Sequence, residues 1–123
     1  MHQLRPHLTL EAFLQRVRRQ RRLAGYRVLF LEVDGKVKAV AGYRVTEFLA
    51  WGKVLYVDDL VTLEEDRFRG YGRELFVALS EEARRQGCDE LHLDSGVQRF
   101  GAHRFYLRQR MDITSHHFAM KLQ

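Results

Sequence analysis

Apolar positions change their spacing repeatedly along this chain, and each change marks a new element. Leu10, Phe13, Leu14 and Val17 recur at i, i+3, i+4 and i+7, one face of a helix that Thr9 is suited to cap and that runs to about Arg22. Gly25 ends it. From Tyr26 to Val33 β-branched and aromatic residues dominate. Asp34-Gly35 is then a strong hairpin-turn signal, and a partner strand follows from about Lys36 to Phe48. Trp51-Gly52 predicts a second turn, leading into a strand from about Val54 to Thr62.

An acidic stretch, Glu64-Glu65-Asp66, precedes a glycine-containing segment and a second helix. Leu75, Phe76, Leu79 and Ala83 make the apolar face of that helix, and Gly87 suits the position just past its end. Glu90 to Asp94 alternates as a strand does, with Leu91 and Leu93 on one side and His92 and Asp94 on the other. A short helix is expected over roughly Arg99 to Gln109, and Met111 to Leu122 reads as two short strands or one bent strand. The order α, β, β, β, α, β, α, β predicts a mixed α/β (α+β) fold, with a central, mostly antiparallel sheet flanked by helices.

Composition narrows the class. With 123 residues, no repeat and no Gly/Ser-rich linker, the chain reads as a single domain over residues 1–123. A composition 46% hydrophobic and 30% charged suits a globule with a true core. No apolar run approaches the roughly 20 residues of a membrane span, and the first residues lack the apolar stretch of a signal peptide. Cys88 is the one cysteine, so no internal disulfide forms and a cytoplasmic location is expected. The net charge of +5 suits a polyanionic partner: nucleic acid, anionic lipid or a nucleotide cofactor with several phosphates.

The segment Arg67-Phe68-Arg69-Gly70-Tyr71-Gly72-Arg73 chooses among these. It stands between a strand and a helix, where first-turn N–H groups lack intrahelical partners and the helix dipole is positive. Glycines admit a phosphate close to the backbone, and the arginines add charge. The Lys and hydroxyl residue of a P-loop are missing, as is the third glycine of the dinucleotide fingerprint.

The R-x-x-G-x-G spacing, after a strand ending Asp59-Leu60-Val61-Thr62, resembles the acetyl-CoA motif of the GCN5-related N-acetyltransferases, the GNAT superfamily. Ala102-His103-Arg104-Phe105-Tyr106 likewise resembles the A-x-x-F-Y helix of that superfamily. Three departures stand out. Arg99 occupies the place of a frequent asparagine, Arg110-Met111 that of a glycine–aromatic pair, and the superfamily's first strand is short or missing.

The resemblance implies an acyl-CoA N-acyltransferase fold and an acetyl-CoA-dependent N-acetyltransferase, with acetyl-CoA as co-substrate and no metal. The acceptor it implies is a primary amine of a small molecule or a protein. The diphosphate would lie on Arg67 to Arg73, with backbone amides of about Arg69 to Arg73 donating. Pantetheine would hydrogen-bond the backbone of Leu60, Val61 and Thr62, where the family strand splays at a bulge. Tyr106 matches the general acid that protonates the departing thiolate. A lysine-like amine, of pKa about 10.4, is neutral in only about one molecule in 2,500 at pH 7, so a base helps. Asp58 or Asp59 would serve, on opposite faces of a regular strand, and Asp58 matches the carboxylate position of several family members.

Two other classes compete. One keeps the fold and the CoA grip for binding or sensing without catalysis. The other is a basic nucleic-acid-binding domain, disfavoured because the aromatics form no stacking platform. The remaining features take plainer roles. Arg16, Arg18, Arg19, Arg21 and Arg22 read as a solvated helix face, and His116-His117 as strand neighbours that cannot converge on a metal. Cys88 reads as packing and His103 as a candidate for the acceptor pocket. No membrane partner is expected. An uncovered sheet edge near the N-terminus leaves a homodimer open.

Overall fold

In the computed structural model, residues 10–62 and 70–123 are described; the Thr9 cap and the acidic stretch lie outside them. The chain forms two compact units, Met1–Leu93 and Asp94–Gln123. The first holds α1 (Leu10–Ala24), β1 (Arg27–Val33), β2 (Lys36–Phe48), β3 (Gly52–Thr62), α2 (Tyr71–Arg85) and β4 (Glu90–Leu93). The second holds α3 (Phe100–Arg108).

The sheet follows chain order, β1-β2-β3-β4. Asp34 (φ 51°) and Gly35 (φ 78°) both take left-handed backbone, the two-residue turn whose twist suits a hairpin, and β1 and β2 are antiparallel. β2 and β3 are antiparallel as well, while β4 runs parallel to β3 after the α2 crossover. The sheet is therefore mixed and mostly antiparallel, as the element order predicts.

The core lies between the sheet and α2. Ala39, Ala41 and Tyr43 of β2 and Leu55 and Val57 of β3 meet Leu75, Leu79 and Ala83 of α2, with Leu29, Leu31, Val45, Leu60, Leu91 and Leu93 around them. On β2 these residues alternate strictly. On β3 the spacing slips: after Leu55 and Val57 the next residue on this face is Leu60. The register explains it, because Tyr43 pairs with Val57 and Gly42 with Asp59, so Asp58 is an extra residue at the Gly42–Tyr43 step. This β-bulge turns the strand by one side-chain position.

On α1, Arg16, Arg18, Arg19, Arg21 and Arg22 are all exposed. Leu14, grouped with the apolar face by spacing, is 41% exposed. Gln20 belongs to the sheet-facing side: its carbonyl accepts from the Tyr26 N–H at 3.2 Å, and its side chain accepts from Arg44 at 3.4 Å.

Residues 111–123 contain no strand, against the expectation for Met111 to Leu122. Alternating apolar residues specify which side chains would share a face, but a strand exists only where the backbone finds a ladder partner. Here Ile113, Phe118, Met120 and Leu122 are exposed.

Leu79 is fully buried at the centre of the α2–sheet contact. Leu79→Ala is expected to cost about 2–5 kcal/mol of stability, checked by urea unfolding at unchanged m-value.

Candidate active site

The bulge decides where the two aspartates go. On a regular strand they would face opposite ways, as the sequence led us to expect. With Asp58 inserted as an extra residue, both carboxylates join one cluster on the sheet face away from α2. Arg44 binds Asp58 with two nitrogens, Nε lying 3.2 Å from Oδ1 and Nη2 pairing with Oδ2. The Tyr26 hydroxyl donates to Asp59 Oδ2 at 2.7 Å. The Arg44 guanidinium lies over the Tyr26 ring, 5.9 Å from its centroid, which ties the two halves together.

Tyr26 is only 4% exposed. Burial, the hydrogen bond to Asp59 and the charges of Asp59 and Asp58 push its phenol well above the usual tyrosine range, opposed by Arg44. The ring lies over Gly42 of β2: a Cβ built there would overlap the phenol carbons and the hydroxyl. A glycine inside a strand often marks such a close approach. Sequence reasoning missed Tyr26, Arg44, Gln20 and Gly42, and a glycine inside the strand at position 42 was the available signal.

Toward its C-terminal end, β3 outruns β4. Pairing with β4 stops at Val57 and Leu93, whereas β3 continues to Thr62 against β2 alone. Leu60, Val61 and Thr62 thus keep one backbone edge without a β4 partner. The bulge itself sits at Asp58, earlier than the Leu60–Thr62 stretch where the resemblance located it, because the extra residue lies opposite the Gly42–Tyr43 step.

Gly70 precedes α2 in left-handed backbone, φ 81°, without a side-chain cap. The first intrahelical donor is the Glu74 N–H, 3.1 Å from the Gly70 carbonyl, so the N–H groups of Tyr71, Gly72 and Arg73 have no helical acceptor. Arg73 is exposed and Tyr71 packs against the core. Arg67, Phe68 and Arg69 lie outside the described residues.

In the second unit Tyr106 lies on α3, half-buried, its ring 5.6 Å from that of Phe105. Burial raises its phenol pKa and Arg99 pulls the other way. His103 donates from Nε2 to the Gly96 carbonyl at 2.7 Å and so tethers the turn before α3. Arg110 adopts φ 66°, the left-handed region that favours glycine, at the place where the family has one.

A family model described as the acetyltransferase (GNAT) family matches residues 2–110. The chain belongs to this family. The N-acetyltransferase YhdJ of Bacillus subtilis strain 168, itself uncharacterized, is 35% identical over 106 residues, 86% of this chain and 75% of its own. The aminoglycoside acetyltransferase AAC(6′)-Iy, solved with the bisubstrate analogue CoA-S-monomethyl-acetylneamine, aligns with a TM-score of 0.85 at 16% identity, over 99% of this chain and 86% of that one. Glucosamine-6-phosphate N-acetyltransferase from Arabidopsis thaliana aligns with a TM-score of 0.72 at 21% identity, over 94% and 80%. This GNAT chain therefore has the acyl-CoA N-acyltransferase fold.

Among the described residues no three His, Cys, Asp or Glu side chains gather as a metal site, and no helix is long and apolar enough to cross a membrane. Cys88 packs against the core, and burial raises its thiol pKa, which disfavours the reactive thiolate.

The Tyr26 phenol generates a pH test. Its folded pKa is raised, so the stability it contributes is complete below the unfolded value of about 10 and is lost as pH rises toward the folded value. Melting temperatures between pH 8 and 11 are expected to fall more steeply for the parent than for Tyr26→Phe above pH 10.

Proposed function

We propose that this GNAT chain, as a single domain over residues 1–123, transfers the acetyl group of acetyl-CoA to a primary amine of a small molecule or protein. The observation that carries the reading is the pairing of an open β3 edge with an uncapped helix start in a GNAT chain. Leu60, Val61 and Thr62 offer backbone groups that β4 leaves unpaired. Gly70 turns the chain so that the first N–H groups of α2 are available to a diphosphate. Arg67, Phe68, Arg69, Gly70, Tyr71, Gly72 and Arg73 are the proposed grip, and acetyl-CoA the proposed co-substrate. The solved AAC(6′)-Iy complex with a CoA-derived analogue supports this choice.

The chemistry assigned to the chain's own groups is two proton movements. Asp58, acting through water, accepts a proton from the acceptor ammonium. The neutral amine attacks the thioester carbonyl, the C–S bond breaks as Tyr106 donates its phenolic proton to the departing sulfur, and the extra proton on the new amide nitrogen goes to solvent, from which Tyr106 is reprotonated. A phenol kept protonated by burial supports the donor role. The ion pair with Arg44 fixes the Asp58 carboxylate in place and gives it a structural duty beside the chemical one.

A second reading, an acyl-CoA binder without catalysis, is favoured by Arg99 and Arg110 standing where the family has asparagine and glycine. Release of free CoA thiol separates the two. Neamine, glucosamine 6-phosphate and a lysine-containing peptide with a free N-terminus are suitable acceptors. Turnover of any of them supports the enzyme, and acetyl-CoA binding without thiol release supports the sensor.

Tyr106→Phe is expected to lower kcat by about 10²-fold or more with acetyl-CoA affinity nearly unchanged. Unchanged turnover with chemistry rate-limiting would return Tyr106 to a packing role. Gly70→Asp, which puts a side chain and a negative charge at the helix start, is expected to abolish CoA binding by calorimetry. Equal affinity in mutant and parent would remove the diphosphate from this segment.

A further inference from the structure

Charge is distributed unevenly between the two helices of the first unit. α2 carries Arg73, Arg84 and Arg85 against Glu74, Glu81 and Glu82, whereas α1 carries five arginines against Glu11 alone. All five, Arg16, Arg18, Arg19, Arg21 and Arg22, are exposed. Among the described residues none of them has an ion-pair partner, and Glu11 accepts a hydrogen bond from Gln15 instead. Helical spacing puts Arg18, Arg19 and Arg22 on the face opposite the half-buried Val17 and Gln20, with Arg16 and Arg21 on its flanks. The negative end of the helix dipole accounts for Arg21 and Arg22, which lie in the last turn. It does not account for Arg16, Arg18 and Arg19. Each of these stands three or four residues from another arginine, a spacing at which like charges destabilise a helix. Solubility alone would be served as well by lysine or by mixed signs, and α1 contains no lysine.

We propose that the outer face of α1 is a docking surface for the phosphate backbone of duplex nucleic acid, gripped without regard to base sequence. Charge density matches this partner. From Arg16 to Arg22 the helix rises about 9 Å, so it offers one positive charge per about 1.8 Å of axis. Duplex DNA carries one negative charge per about 1.7 Å. An extended acidic peptide offers at most one carboxylate per about 3.3 Å, roughly half that density. The planar guanidinium also suits phosphate oxygens, which it can bind through two nitrogens at once. A membrane surface fits less well, because the helix cannot turn its less polar side toward lipid. Val17 and Gln20 are half-buried, and Gln20 is bonded to the Tyr26 N–H and to Arg44. A single strand gains nothing here either, since the arginine face carries no aromatic ring on which a base could stack. The surface stands independently of the acetyl transfer proposed above.

The test is fluorescence anisotropy with a short labelled DNA duplex of mixed sequence, titrated at several salt concentrations between about 50 and 200 mM. Saturating coenzyme A is present throughout, so that a diphosphate grip elsewhere on the chain is already filled. For the parent, log K against log salt is expected to fall with a slope of about −4, the value for four to five neutralised phosphates. The triple variant Arg18→Gln, Arg19→Gln, Arg22→Gln should flatten that slope by about 3 and weaken binding at least tenfold at the lowest salt. Its melting temperature should equal or exceed that of the parent, because glutamine keeps the helix and the like-charge contacts are gone. The corresponding triple lysine variant should retain the slope. If the triple glutamine variant does not fold, Arg18→Gln alone carries the test, with about 0.9 of slope expected to be lost. A parent that shows no salt-dependent duplex binding overturns the proposal, as does a folded glutamine variant with the slope of the parent. Loss of the duplex on adding coenzyme A would move the contact to the diphosphate grip and away from α1. Tighter binding of a single strand, of polyglutamate or of phosphatidylserine vesicles at the same salt would also overturn it, by assigning the surface to a different partner.

Discussion

One extra residue in a strand has no place in a ladder of paired backbone groups, and this sheet is organised around where that residue goes. Asp58 is the extra residue at the Gly42–Tyr43 step of the register, and everything beyond it on β3 is displaced by one side-chain position. Before the bulge, Leu55 and Val57 face α2; after it, Leu60 does. The hydrophobic core thus stays continuous across the defect. The same shift turns Asp58 and Asp59 together onto the opposite face, where a regular strand would have sent one of them into apolar packing against α2. Burying an unpaired carboxylate there would have been strongly unfavourable. The bulge lets an acidic pair exist inside an otherwise apolar strand.

Its position also separates the two halves of the proposed site. N-terminal to it, β3 is tied on both sides, to β2 and to β4. From Asp59 to Thr62, among the described residues, its ladder partner is β2. A strand free along one edge still has donors and acceptors to satisfy, and an extended ligand that hydrogen-bonds through amides suits that edge as another strand would. The chain then reaches α2, whose start presents further donors around Gly70. The two carboxylates and the open backbone edge are consecutive stretches of one strand, so their spacing is set by covalent geometry.

The parts of this arrangement that were legible in the sequence are the parts encoded locally. Helical spacing located α1 and α2, Asp34-Gly35 located the first hairpin, and a contiguous run carried the likeness to the acetyl-CoA motif. The carboxylate cluster was harder because it gathers Gln20, Tyr26, Arg44, Asp58 and Asp59 from a helix, a strand entry and two strands. Strand alternation was the tool applied to Asp58 and Asp59, and it fails at a bulge, which has no dependable sequence signature. Met111 to Leu122 shows the converse. It reads as two short strands or one bent strand, yet residues 111–123 form no strand, because pairing is a property of two segments and only one can be read at a time.

The contact between Tyr26 and Gly42 has a consequence for how relatives of this chain can differ. The two positions share one volume, since any side chain at 42 would occupy space that the phenol ring fills. A change at either is constrained by the other. Glycine is expected at 42 wherever 26 is a large aromatic, and a smaller residue at 26 releases 42 to become alanine or a β-branched residue that suits a strand better. Because the second step is favourable only after the first, the order of substitution matters, and a lineage that has filled position 42 cannot readily regain the tyrosine. Paired variation at these two columns would therefore date the loss of the hydroxyl more faithfully than either column alone.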